Sequence, residues 1–178
     1  MFIRKLLGLE PRDAAQDSDT NTVRRIVQEL DAMDPAQARY LAAFAFVLSR
    51  VANADAQVSV EETQEMERTV CRWGGVSEAQ SVLVVQIAKS QSSLIGGTED
   101  FLVTRQFKSM STPAQREELL HCLFAVSAAD SSISSAEETV VRQIASELDL
   151  ADRDFLAIRG RYNDKRAVLK NLPGGGAA

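Results

Sequence analysis

The chain states one pattern twice. Val51-Ala-Asn-Ala-Asp55-Ala-Gln-Val58-Ser59-Val-Glu61-Glu62 returns as Val126-Ser-Ala-Ala-Asp130-Ser-Ser-Ile133-Ser134-Ser-Ala-Glu137. The pairs Asp55/Asp130, Val58/Ile133, Ser59/Ser134 and Glu62/Glu137 all keep the same spacing, with no gap. A long-period repeat of this kind marks two copies of one supersecondary unit packed together. Asp152 also stands in register with Ser77, so the repeat is read as a three-helix unit.

The intervals between the copies read as helices. Asp34-Pro35 is an N-cap followed by a proline suited to the first turn. Phe44, Val47, Leu48 and Val51 then recur at helical spacing. Ser59-Val-Glu-Glu62, Ser77-Glu-Ala-Gln80 and Ser134-Ser-Ala-Glu137 are capping boxes. Gly74-Gly75 stops one helix, and Thr98, Thr112-Pro113 and Asp152 open three more. No stretch alternates as a strand would, and no hairpin dipeptide occurs. The expected fold is all-α: one helical bundle of about seven to eight helices containing two three-helix repeats.

Residues 1–21 read as an arm and linker, with the first helix starting after Thr22. Residues 22–170 form the bundle, with repeats over about 36–91 and 112–164, and 171–178 read as a flexible tail. The 178 residues are 45% hydrophobic, enough for a real core. A net charge of −5 excludes a general nucleic-acid binder, which needs a basic face. Cys71 and Cys122 are unpaired in sequence and read as small core residues. The N-terminal Met1-Phe-Ile-Arg-Lys-Leu-Leu is neither a signal peptide nor a membrane span, so a cytoplasmic location is expected. That arm, or the basic cluster Arg159, Arg161, Lys165, Arg166 and Lys170, offers peripheral contact with an anionic membrane or an acidic partner. Otherwise the cluster is a solvated helix face.

The carboxylates at the repeated corner carry the chemistry. Four residues beyond Val51 and Val126, Asp55 and Asp130 fall on the inward stripe. Glu62 and Glu137 lead inward stripes of their own. In one reading each Asp braces the next helix's free N–H groups and each Glu closes a capping box. In the other, Asp55, Glu62, Asp130 and Glu137 hold a hard divalent cation, Ca²⁺ or Mg²⁺. Neither loop is an EF-hand, because position 12 would be Met66 or Val141. Catalysis by the acidic pair is a remote third reading.

At these residues the chain resembles the TerB family, named for tellurite-resistance protein B. The corner Ala-Asp-Gly-x-Ile/Val-Ser/Asp-x-x-Glu is matched at Ala54–Glu62 and Ala129–Glu137, with Ala56 and Ser131 where the family has glycine. The resemblance spans roughly Asp34 to Tyr162. It implies an all-helical, internally pseudo-symmetric domain and a link to metal ions and membrane-associated stress systems. The expected role is non-enzymatic, through contacts with a protein partner, with no resident cofactor beyond that cation. Among other residues, His121 is expected opposite the apolar stripe, Trp73 as a plug at a helix end, and Glu138 paired with Arg142.

Overall fold

The computed structural model describes residues 17–52, 60–91, 98–129 and 132–166. Among the described residues eight α-helices follow one another: α1 Asp17–Asp31, α2 Pro35–Ala52, α3 Val60–Trp73, α4 Glu78–Gln91, α5 Thr98–Met110, α6 Pro113–Ser127, α7 Ser135–Glu147 and α8 Asp152–Gly160. A 3₁₀ turn, Asn163–Lys165, follows. Among the described residues there is no strand, only one isolated parallel bridge between Ile133 and Arg166. The all-α expectation therefore holds.

The caps lie where the sequence puts them. Asp34 Oδ1 accepts from the N–H groups of Ala36 (2.9 Å) and Gln37 (3.2 Å). Ser77 and Gln80 bond reciprocally at 2.9 and 3.3 Å. Thr112 and Gln115 do so at 2.8 and 3.2 Å, with Pro113 in the first turn. Each such cap satisfies N–H groups that the helix itself leaves unpaired. Ser59, expected to cap α3, lies outside the described residues.

α2 is the axis of the molecule. Every residue from Leu41 to Ser49 is buried, and α1, α4, α5, α6 and α7 all pack on it. Three alanines, Ala42, Ala43 and Ala45, share that run with Phe44, Phe46, Val47 and Leu48. A helix apolar on every side belongs inside a core. Arg116 of α6 ties its own helix to the end of α5. Its guanidinium donates to the carbonyls of Lys108 and Ser111, both at 3.0 Å, at the exit of α5.

Three expectations about elements need correction. α1 begins at Asp17, not after Thr22. Hydrophobic spacing, which begins at Val23 and Ile26, does not register a polar first turn. The duplication also slips. α3 and α7 start in register, but α3 has 14 residues and α7 has 13. The left-handed residue that follows is Gly75 (φ 62°) in one copy and Asp149 (φ 55°) in the other, one place out of register. The cap equivalent to Ser77 is accordingly Ala151, and Asp152 sits inside α8 with no side-chain cap bond. Finally, Cys71 is exposed and only Cys122 is buried. The buried stripe of α3 runs through Met66, Val70 and Gly74, and Cys71 lies about 100° round from Val70.

Candidate functional site

The second acidic corner can be followed residue by residue from Ser132 onward. Ser134 is the N-cap of α7. Its N–H donates to Glu137 Oε2 (2.8 Å), and the Glu137 N–H donates to Ser134 Oγ (3.2 Å). Glu137 thus closes the box, and its carboxylate also complements the positive end of the helix. Of the other three predicted site residues, Asp55 and Asp130 lie outside the described residues. Glu62 lies in the first turn of α3, and its side chain also falls outside them.

The neighbouring Glu138 carries most of the charge pairing at this corner. Its carboxylate accepts from Arg166 Nε and Nη2, both at 2.8 Å, and from Arg159 Nη1 at 3.2 Å. Burial raises the Glu138 pKa, but the hydrogen bonds and charges of Arg166 and Arg159 outweigh it and hold the group below the usual carboxylate range. The Ile133 N–H donates to the Lys165 carbonyl (2.8 Å), so the segment after α8 straps the loop in front of α7. The expected Glu138–Arg142 pair does not form. Arg142 lies over the Phe155 ring, 4.7 Å from its centroid. The basic cluster is not a uniformly solvated face either: Arg159 and Arg166 turn inward to Glu138, and Lys170 lies outside the described residues.

At the other end of α7 is a buried ion pair. Arg50 Nη1 is 2.6 Å from Glu147 Oε2 and 2.6 Å from Thr104 Oγ1, and Nη2 is 3.3 Å from Glu147 Oε1. Asp100 Oδ2 stands 3.9 Å from Arg50 Nε. Burial pushes the Glu147 carboxyl up, but Arg50, Gln143 and Thr104 bring it below its ordinary value. None of this was anticipated from sequence. The available signal was Arg50 itself, the single charge between Tyr40 and Ala52, placed on the stripe of Phe46 and Val47.

A third cluster joins the two halves. Trp73, at the end of α3, stacks on His121 of α6 with centroids 5.0 Å apart and planes at 15°. Tyr162 donates from its hydroxyl to the His121 carbonyl at 3.2 Å. His121 is half-buried rather than fully outward, and Trp73 is a partly covered plug. Arg161 Nη1 lies 3.4 Å from His121 Nε2. A guanidinium only donates, so Nε2 accepts and the proton resides on Nδ1. That Nδ1 is enclosed and has no hydrogen-bond partner among the described residues. Burial first, and Arg161 second, hold the His121 pKa below its ordinary value. The ring is therefore neutral at pH 7.

Among the described residues, no group of three or more His, Cys, Asp and Glu is placed to hold a metal ion. No described helix is long and apolar enough to cross a membrane.

Fold and corner together define a class: an all-helical module whose described corner, Ser134 to Glu137, caps the helix that follows it. Residues 40–160 match the family described as tellurite resistance protein TerB, and the chain belongs to that family. No curated protein and no solved structure matches it at a significant level.

Proposed function

We propose that this TerB-family chain is a non-enzymatic helical module that acts through protein contacts in a stress-response system of the tellurite-resistance kind. The observation that carries this reading is on α5. Phe101 and Leu102 are 48% and 57% exposed, side by side on its outer face. Covering such groups would contribute about 1–2 kcal/mol each. The corner chemistry supports the same reading, because Glu137 closes a capping box and Glu138 and Glu147 are neutralised by arginines. A photo-cross-linking residue at the exposed Gln106 tests it in the cells that make the protein. A discrete cross-linked product that disappears in the Phe101→Ser/Leu102→Ser variant supports the reading. No product, or one indifferent to that variant, refutes it.

A second reading is divalent-ion binding by Asp55, Glu62, Asp130 and Glu137. The family match spans both corners, which favours it. The one N–H bond to the Glu137 carboxylate also leaves lone pairs that a hard cation could use. Calorimetric titration with Ca²⁺, Mg²⁺, Mn²⁺ and Zn²⁺, on wild type and on Asp55→Asn and Asp130→Asn, tests this. Heat and thermal stabilisation in wild type that both variants lose would establish an ion site. No heat, with variants that merely melt earlier, would make the corners braces.

A further inference from the structure

We propose that Arg72, Trp73, His121, Arg161 and Tyr162 form a docking patch for a carboxylate-bearing, acidic segment of a partner protein. This rests on the interaction reading above but uses a different face.

The geometry is a ladder of cations and rings. The Arg72 guanidinium lies over the Trp73 ring, 5.2 Å from its centroid. Trp73 stacks on His121, and Arg161 reaches the far nitrogen of that imidazole. Both guanidiniums are close enough to Tyr162 to act on its hydroxyl electrostatically. Arg72 and Arg161 are exposed, and neither is paired with a carboxylate among the described residues. Arg50, Arg159 and Arg166, by contrast, are committed to glutamates and Arg116 to carbonyls.

Charge complementarity selects the occupant. Arg72 and Arg161 present two exposed cations on one patch, a spacing that a short acidic segment can meet with successive carboxylates. A planar guanidinium matches a carboxylate through two parallel N–H bonds. Arg, Trp and Tyr are the side chains that most often dominate binding at interfaces. The His121 ring stacks on Trp73 and holds it in place.

Trp73 is the chain's one tryptophan, so its emission reads the patch directly. The probe is a hexaglutamate peptide, with hexaglutamine and phosphatidylserine–phosphatidylcholine vesicles as comparisons. The expected result is a saturable change in Trp73 emission with hexaglutamate, about tenfold weaker in affinity in Arg72→Gln/Arg161→Gln. Both arginines are exposed, and an unchanged melting temperature checks that the variant folds. No response to hexaglutamate, an equal response in the variant, or an equal response to hexaglutamine or vesicles overturns the inference. Cross-linking from α5 is read separately, so failure of this patch leaves that experiment standing.

Discussion

Arg50 and Glu147 meet in the interior, 2.6 Å apart and with side chains 6% and 8% exposed. One belongs to the first copy of the repeat and the other to the last turn of α7 in the second. The pair is therefore a bond between halves. Removing one partner strands the other charge where water cannot solvate it. Arg50→Met should cost about 3–5 kcal/mol. Arg50→Met/Glu147→Leu should cost much less than the two single changes together. Urea unfolding of the three variants measures this, and strict additivity would show that the pair is not coupled.

Acid should weaken the fold through Glu138 and Glu147. Their carboxyls lie below the ordinary range when folded. Their contribution is complete above the unfolded value of about 4.3 and is lost as pH falls through the folded values. Urea midpoints should be flat in this respect from pH 7 to 5 and decline below about pH 4.3. Glu138→Gln/Glu147→Gln should have a lower midpoint at pH 7 and a shallower acid limb. An equally steep limb in the double variant would contradict the assignment.

His121 works in a different window. Its folded pKa is depressed, so the unfolded chain binds a proton that the folded chain refuses. Stability should fall as pH drops from about 6.5 toward the folded value. It is the one histidine in the chain, so its ring resonance can be followed by NMR without overlap. The midpoint should lie below about 6.5 and rise in Arg161→Gln, remaining depressed by burial. A wild-type midpoint at or above that figure would refute the tautomer and burial argument.

Gly74 and Gly75 should respond differently to alanine. At Gly75 the obstacle is φ 62°, because Glu118 Oε2, 2.5 Å from an added Cβ, can swing away. The cost there is about 1 kcal/mol. At Gly74 a Cβ would stand 2.6 Å from the Val70 carbonyl oxygen and 3.1 Å from Phe44 Cζ, inside the core. That change should cost about 1–3 kcal/mol. Thermal unfolding of the two variants ranks them, and a Gly74→Ala protein as stable as wild type would exclude the clash.

What the sequence discloses here is mostly local. Asp34, Ser77, Thr112 and Ser134 were legible because a cap bonds within three residues of itself. The helical class was legible because periodicity and scarce breakers agree. The partners of Glu138 were not: Arg142 stands four residues on, but Arg159 and Arg166 arrive through the fold and win on geometry. Arg50 was overlooked because a lone charge in an apolar run points to no particular partner. The slip between Gly75 and Asp149 was hidden because Asp152 resembles a cap and happened to preserve the count. Of the acidic corners, the glutamate's capping role was readable from Ser134 to Glu137. The Arg72–Trp73–His121–Arg161 ladder draws on three separate helical segments, a juxtaposition that linear spacing cannot express.

The unbroken buried run of α2, Leu41 to Ser49, has a consequence for biosynthesis. Synthesis proceeds from the N-terminus, so this greasy rod leaves the ribosome well before α5, α6 and α7, the helices that help shelter it. Until α7 is available, the nascent chain carries an apolar run without its full native cover, a target for chaperones and a hazard under heat. Folding of this protein is for that reason tied to completion of its second half, and truncations ending before α7 should accumulate as insoluble material.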